Sequence, residues 1–188
     1  MAGWDKKRKV MRNYDRSAAV YDTQYAEEQN AEIKAALNHV NLKGDSLVLD
    51  VGCGTGLLFE HIGDSVKLLA GLDISLKILE KAKRRAKRFP NVNIIRADAD
   101  FMPFLKEVFD GIFAITLLQN TPNPILTLQE MKRVGKSPST IVITGLKKEF
   151  SKKAFRELLL KAGLGAFIME SGEQLKGHVA VCKYGLNE

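Results

Sequence analysis

Apolar and polar residues alternate along the chain in two patterns, one typical of buried strands and one of amphipathic helices. Residues 46–51 (SLVLDV) form a short, nearly continuous apolar run, which predicts a buried strand. In residues 151–163, the apolar side chains of Phe155, Leu158 and Leu159 share one helical face. Because segments of the two kinds alternate, the sequence predicts a parallel sheet covered by helices on both faces.

The same patterns give the order of elements. Strands are predicted at residues 46–51, 67–73, 92–97, 109–115, 139–145, 166–169 and 179–183. Helices are predicted at residues 11–20, 23–40, 56–62, 75–89, 124–134 and 151–163. The last two strands have no helix between them, which predicts an antiparallel hairpin. The chain is therefore predicted to be one α/β domain over residues 1–188, with a helical cover in residues 1–40 and the sheet in residues 46–188.

Polar and special residues mark several helix ends. Ser75, Asn123 and Ser151 stand where N-caps are expected, and Pro124 suits a first helical turn. Gly163 is placed to end the last helix.

A glycine-rich loop follows the first strand. In VLDVGCGTGLL (residues 48–58) the strand leads directly into Gly52, Gly54 and Gly56 and then into a helix. Glycines permit a tight turn and let a ligand approach the backbone, while the helix N-terminus offers free N–H groups. The dinucleotide pattern GxGxxG would need a glycine where Leu57 stands, so the loop predicts a different ligand.

Two aspartates end the next two strands. Asp73, in GLDIS, is placed to accept hydrogen bonds from both hydroxyls of a ribose. Ser75 is the better helix cap, which leaves Asp73 for a ligand. Asp98, in ADADFMPF, is placed to accept from an adenine amino group, and Ala99 offers a backbone N–H. Together with the glycine loop, these strand ends predict an adenosine site that is not prepared for a pyrophosphate.

These segments resemble a known family. VLDVGCGTG, GLDIS, ADADFMPF and FDGIFAITLLQNTPNP are similar, in order and spacing, to the motifs of class I S-adenosylmethionine (SAM) dependent methyltransferases. The likeness is to the branch that includes ubiquinone and menaquinone C-methyltransferases. It implies a doubly wound, Rossmann-like sheet of seven strands in the order 3-2-1-4-5-7-6 with strand 7 antiparallel. It also implies SAM as cofactor and S-adenosylhomocysteine (SAH) as product.

By position, the resemblance assigns the glycine loop to the methionine portion of SAM. Gly52, Gly54 and Gly56 line that portion, Cys53 lies among them, and Asp50 helps to hold the amino group.

The same resemblance assigns the adenosine portion to the later strand ends. Asp73 binds the ribose, Ile74 packs on the adenine, and Asp98 and Ala99 contact the adenine edge. Thr116, just past the fourth strand, lies beside the sulfonium.

Tyr21 belongs to YDRSAAVYDTQY, which resembles the helical segment that folds over the cofactor in this branch. Two interpretations of this residue stay open, a contact to the cofactor and an aromatic side chain that only packs between helices.

Length, composition and charge limit the domain number, the localisation and the partners that we expect. The 188 residues suffice for one domain, and no apolar run approaches the roughly 20 residues of a membrane-spanning helix. The cysteines Cys53 and Cys182 show no metal-site spacing, so we expect free thiols, no metal and no disulfide. Because the basic N-terminus also lacks the pattern of a secretory signal, we expect a cytoplasmic protein without a membrane partner. The net charge of +7 is compatible with nucleic acid or with a lysine-rich solvated surface.

The methyl acceptor is less well indicated. His39, His61 and His178 all fall away from the expected methyl group, and no general base is found, so we expect an acceptor that is already nucleophilic. The connection at residues 146–150 is too short for an inserted lid, which favours a macromolecular acceptor, RNA or protein. Two alternatives are a small acceptor closed in by the N-terminal helices or by dimerisation, and a SAM-binding subunit whose small activator protein pairs with the edge strand at residues 92–97.

Overall fold

A computed structural model of the protein describes residues 2–169 and 175–185. Met1, residues 170–174 and residues 186–188 of the predicted domain lie outside the described residues. The helices are α1 (Ala2–Ser17), α2 (Tyr21–Leu37), α3 (Phe59–Ile62), α4 (Leu76–Ala86), α5 (Pro124–Val134) and α6 (Lys152–Lys161). The strands are β1 (Leu47–Val51), β2 (Leu68–Asp73), β3 (Val92–Arg96), β4 (Phe109–Ala114), β5 (Gly135–Leu146), β6 (Ala166–Ile168) and β7 (Gly177–Tyr184).

The strands form one sheet in the order β3-β2-β1-β4-β5-β7-β6. Strands β1 to β5 pair in parallel, whereas β7 is antiparallel to both β5 and β6. The predicted strand order and the antiparallel seventh strand are therefore confirmed. The chain winds outward from β1 to β3 and then crosses to β4, so the strand order reverses between β1 and β4, where open α/β sheets bind ligands.

Helices cover both faces of the sheet, because neighbouring strand residues point in opposite directions. On one face, Val48 of β1 lies in a cluster with Ile33 of α2 and Ala82 of α4. On the other face, Leu49 lies in a cluster with Leu128 of α5. Burying an aliphatic side chain of this size contributes about 1.5–3 kcal/mol, so the two clusters hold the strand ends in fixed positions.

The predicted helix caps are present. The side chains of Ser75, Asn123 and Ser151 each accept a hydrogen bond from a backbone N–H in the first turn that follows. Pro124 begins α5, and Gly163, with φ of +70°, follows the end of α6.

Several predicted boundaries were wrong, and three of them have a clear physical reason. The first helix begins at Ala2 and not at residue 11, because charged residues that give no apolar pattern make tertiary contacts there. The third helix begins only at Phe59, since the glycine loop continues through residue 58. Strand β5 begins at Gly135, four residues early, because Gly135 already pairs with Phe109 of β4. In the described part of the chain, no helix is both long and apolar enough to cross a bilayer.

Candidate functional site

A cavity opens where β1, β2, β3 and β4 end at the same edge of the sheet. Its empty volume, part of it open to solvent, is about 690 Å³. Eight of the residues that the sequence predicts for the cofactor line it: Tyr21, Gly52, Gly54, Asp73, Ile74, Asp98, Ala99 and Thr116.

The glycine loop forms the floor of this cavity in a backbone conformation that favours glycine. Gly52 and Gly54 have φ values of +70° and +55°. The N–H groups of Gly52 and Cys53 both donate to the carbonyl oxygen of Leu72 at the end of β2, at 2.7 and 2.9 Å. A Cβ atom on Gly52 would lie 2.7 Å from Leu117 Cδ1. The loop is therefore fixed, and its backbone faces the cavity.

The other three residues predicted for the cofactor do not line the cavity. Asp50 is 3% exposed, and burial, together with the charge of Asp73, raises its pKa to about 8. Cys53 is buried beside Gly71, and burial raises the pKa of its thiol. Gly56, with φ of +81°, lies against the Phe59 ring. These three residues lie outside the cavity lining and pack within or against the glycine loop. A direct role in binding the cofactor stays a prediction for them.

Asp73 lies in the cavity with both carboxylate oxygens held by the backbone. Oδ1 accepts from the Ser75 N–H at 2.8 Å, and Oδ2 accepts from the Gly54 N–H at 3.1 Å. The expectation that Ser75 leaves Asp73 entirely for a ligand was therefore incomplete. Burial raises the pKa of Asp73, and the backbone N–H groups partly offset that rise. Each oxygen keeps a second lone pair that can accept from a hydroxyl group.

Asp98 is part of an ion-pair cluster that the sequence did not predict. Its Oδ2 lies 2.6 Å from Lys7 Nζ of α1, and its Oδ1 accepts from the Asp100 N–H at 3.0 Å. Lys7 Nζ also lies 2.6 Å from Asp100 Oδ2. Nothing in a run of basic residues near the N-terminus distinguishes Lys7, so only the fold reveals this contact.

Thr116 is the junction of the hydrogen-bond network at the end of β4. Its φ of +53° is rare for a β-branched residue and marks a position that the surrounding contacts hold in place. Its N–H donates to Thr144 Oγ1 at 2.8 Å, and its hydroxyl accepts from Gln29 Nε2 at 2.8 Å. Its carbonyl oxygen accepts from Gln119 Nε2 at 2.6 Å.

Three tyrosines stand beside Thr116. The Tyr21 ring packs against the rings of Tyr14 and Tyr25, with centroids 5.7 and 5.0 Å apart. The Tyr21 hydroxyl accepts from Gln29 at 2.9 Å. Tyr21 therefore packs between helices and also lines the cavity, and its contact to the cofactor stays a prediction. Burial raises the pKa of Tyr14 to about 12 and that of Tyr21 further, so both phenols are neutral near pH 7.

A second cavity adjoins the first. The two share the wall formed by Tyr14, Tyr21, Thr116 and Asn120. The second cavity is larger, about 1760 Å³ including open solvent, and lies between α1, α2 and the connection after β5.

The polar lining of the second cavity was not predicted. It includes the carboxylates of Glu28 and Glu149 and the lysines Lys147, Lys148 and Lys176. Glu28 Oε2 lies 2.9 Å from Lys176 Nζ. The sequence gives no motif for these residues, because they come from separate segments that meet only in the fold.

The histidines and cysteines, which serve as catalytic bases, nucleophiles or metal ligands in other enzymes, do not line either cavity. His61 Nε2 is 2.7 Å from Asn30 Oδ1, His178 Nε2 is 3.0 Å from the Phe150 carbonyl oxygen, and no histidine lines either cavity. Both cysteines are buried free thiols. Within the described ranges, no group of histidine, cysteine or acidic residues is arranged to hold a metal ion.

Comparison with known proteins agrees with this geometry. A family model described as a methyltransferase domain matches residues 49–143, which run from β1 into β5. The chain belongs to this methyltransferase family. Its fold and relatives place it among class I SAM-dependent methyltransferases, whose cofactor is SAM.

Curated relatives support the family without fixing the substrate. The chain is 34% identical to a demethylmenaquinone methyltransferase of Staphylococcus saprophyticus over 58% of this chain and 48% of that protein. It is 31% identical to a phosphatidylethanolamine N-methyltransferase of Cereibacter sphaeroides over 71% of this chain and 66% of that protein. The chain spans about half the length of the first curated relatives that it matches.

Solved structures show the same fold. The structure described as a DhpI–SAH complex aligns over the whole of both chains with a TM-score of 0.80 and 18% identity. A Haloferax volcanii methyltransferase solved with the Trm112 activator aligns with a TM-score of 0.76 and 17% identity, over 90% of this chain and 96% of that one.

The residues present fit SAM. The first cavity combines a close-approach glycine backbone, a carboxylate at the end of β2 and a carboxylate just beyond β3. These features match the amino acid, ribose and adenine portions of one molecule, in that order along the sheet edge.

Proposed function

We propose that this chain is a SAM-dependent methyltransferase whose acceptor binds in the second cavity, beside Thr116. The observation that carries the proposal is the wall that the two cavities share. When bound, SAM would supply an electrophilic methyl group on a positively charged sulfur. A nucleophilic acceptor atom would bond to the methyl carbon as the carbon–sulfur bond breaks in line, and the electron pair of that bond would leave with SAH. The methyl group would then lie at the shared wall, within reach of an acceptor in the second cavity.

The chain's own residues then act mainly by positioning. Gly52, Gly54 and Asp73 would hold the donor at three points, so that its reactive end meets the shared wall. The Thr116 network would fix the position of the acceptor, because its partners come from α2, β5 and the turn after β4. Holding two reactants in line supplies a large part of a rate enhancement without a general base.

The size of the acceptor follows from what covers the site. The sequence favoured RNA or protein because no lid is inserted after β5. Helices α1 and α2 supply a cover instead, since Lys7, Tyr14 and Tyr21 line the first cavity, which we call the donor cavity because we propose that SAM binds there. We therefore propose a small acceptor, enclosed by the N-terminal helices.

RNA or protein is the second candidate, supported by the net charge of +7. The basic residues of α1 support it only in part. Lys6 donates to the Thr121 carbonyl oxygen at 2.8 Å, and Arg8 pairs with Asp5 at 2.6 Å. Lys7 is bound to Asp98 and Asp100. Lys7 is therefore not available to a polyanion, whereas Lys6 and Arg8 stay exposed despite these contacts.

A third candidate is a SAM-binding subunit that needs a small activator protein. Strand β3 lies at the edge of the sheet, with Val92, Ile94 and Ile95 only partly buried. An edge strand offers unpaired backbone groups to a partner strand. The H. volcanii neighbour was solved in complex with the Trm112 activator, which is a precedent for an activator partner in this fold.

One experiment separates the three candidates. The protein is incubated with methyl-labelled SAM and with the small-molecule, RNA and protein fractions of a cell extract. We expect label in the small-molecule fraction. Label in RNA or protein would contradict the small acceptor, and SAM binding without label in any fraction would indicate a missing activator.

A further inference from the structure

We propose that Lys7 is a positioning residue of the adenine subsite, which holds the Asp98 carboxylate oriented as the acceptor for the adenine 6-amino group. The proposal rests on the cofactor site described above. It assigns the N-terminal helix a part in recognising the donor, beyond covering it.

The contacts of Lys7 are those of a built ion-pair cluster. Its ammonium group lies 2.6 Å from Asp98 Oδ2 and 2.6 Å from Asp100 Oδ2, and its side chain is only 11% exposed. Asp100 is nearly fully buried, with a side-chain exposure of 4%, and its other oxygen accepts from the Thr127 hydroxyl. Lys7 and Asp98 both line the donor cavity, so the cluster faces the ligand.

Without a cation, this arrangement is unfavourable. Two neighbouring carboxylates repel each other, and a cation between them offsets that repulsion. Lys7 supplies this cation. Burial of its ammonium group lowers the pKa of Lys7, but Asp100 and Asp98 outweigh that effect and raise it. Lys7 therefore allows the two carboxylates to lie side by side.

Lys7 also fixes the direction of the Asp98 carboxylate. Oδ2 is held by Lys7, and Oδ1 is held by the Asp100 N–H at 3.0 Å. A carboxylate offers about four acceptor sites, so an amino group can still donate to Asp98 while both contacts persist. Asp98 is 22% exposed, which leaves room for that third contact.

The helix that carries Lys7 is anchored on both sides of this residue. Lys6 donates to the Thr121 carbonyl oxygen at 2.8 Å, and the Tyr14 hydroxyl accepts from Asn120 Nδ2 at 2.8 Å. Further along, Asp15 accepts from the Ser75 hydroxyl at 2.6 Å. The position of Lys7 therefore does not depend on its own ion pairs alone, and a substitution there leaves the helix in place.

The test compares SAH with its 6-deamino analogue, which carries hydrogen in place of the amino group. The affinities of both are measured by calorimetry for the full chain. We expect the wild type to prefer SAH by about tenfold, the size of one charge-assisted hydrogen bond. In Lys7→Met this preference should fall to within about twofold, because the Asp98 carboxylate is no longer held in the direction of the amino group.

Two further variants keep the test specific. Lys9→Met removes an exposed charge from the same helix and should retain the full preference. Lys7→Arg keeps a cation and should restore most of the preference that Lys7→Met loses.

Two results would overturn the proposal. If Lys7→Met weakens the binding of both ligands equally, Lys7 only holds helix α1 over the cavity and has no part in recognising the adenine amino group. If Lys7→Met tightens SAH, Lys7 competes with adenine for Asp98. Undiminished binding of the analogue shows that the variant is folded and that SAM recognition itself stands, so failure of this inference is distinguishable from failure of the proposed function.

Discussion

The two cavities are built from different kinds of chain segment. The donor cavity is formed mainly by loops that directly follow β1, β2, β3 and β4, where parallel strands bring their ends to one edge. The second cavity, which we propose for the acceptor, is formed by α1, α2, the turn after β4 and the connection after β5. Local motifs therefore describe the first cavity, whereas the second depends on how distant segments pack. This difference explains why the cofactor follows from the sequence and the acceptor does not.

The largest expected effect lies outside the lining of both cavities, at Glu32 of α2. Its carboxyl group is fully buried, and neither oxygen has a hydrogen bond of good geometry. Burial raises its pKa to about 7, although the neighbouring Thr144 hydroxyl and Gly177 N–H favour the charged form. The folded state therefore binds this proton more tightly than the unfolded state, and the stability that Glu32 contributes is lost as pH rises from about 4.5 to about 7.

Glu32→Gln should consequently stabilise the protein at pH 8, by about 3 kcal/mol at most, and should have little effect at pH 4. Urea unfolding at both pH values measures this difference. The exposed neighbour Glu27→Gln serves as the control and should be neutral at both. Equal stability of Glu32→Gln and wild type at pH 8 would mean that Glu32 is well solvated or paired.

The next effect lies on the donor side. Asp73→Ala removes the proposed ribose acceptors and should weaken SAH binding by about 1.5–3 kcal/mol, the loss of charged hydrogen bonds. Calorimetry measures the change, with Asp64→Ala, an exposed aspartate, as the matched control. An unchanged affinity in Asp73→Ala would show that the end of β2 does not bind the ribose.

A third substitution tests the floor of the donor cavity. Gly52→Ala forces a side chain into a positive φ and against Leu117, so we expect a loss of about 1–3 kcal/mol in stability. Gly44→Ala is the control, since no atom lies within 4 Å of its added Cβ. The free energies of unfolding of the two variants should differ. Equal values would mean that the loop relaxes without cost.

The smallest effect should separate the two cavities most cleanly. Tyr25 lines the second cavity and not the first. Tyr25→Ala should raise the KM for the acceptor about fivefold, the value of one aromatic contact, while SAH affinity stays unchanged. A parallel loss of SAH affinity would indicate that the cavities do not act as separate sites.

The sequence predicted the sheet well because strand patterns and helix caps are local signals. The antiparallel hairpin of β6 and β7 and the caps at Ser75 and Asn123 agree with the structure. The order of the strands, which the family resemblance implied, agrees as well. The start of α1 was missed, because its polar residues become ordered only through contacts such as Lys6 with Thr121. A helix of this kind has no apolar stripe from which to predict it.

The residues of the candidate site also fall into those that local sequence signals predicted and those that they did not. The strand-end residues Asp73 and Asp98 line the donor cavity as predicted, since their positions follow from strand register. Lys7 and Glu28 were missed, because a lysine or glutamate on a polar helix looks like any solvated charge. Their partners, Asp98 and Lys176, lie far away in sequence and become visible only in three dimensions.

Calorimetric titration of the full chain with SAH and, separately, with NADH tests the central claim most directly. Both ligands contain adenosine, but only NADH needs room and donors for a pyrophosphate. The account predicts that SAH binds with one molecule per chain and that NADH does not bind. Binding of NADH without binding of SAH would contradict it.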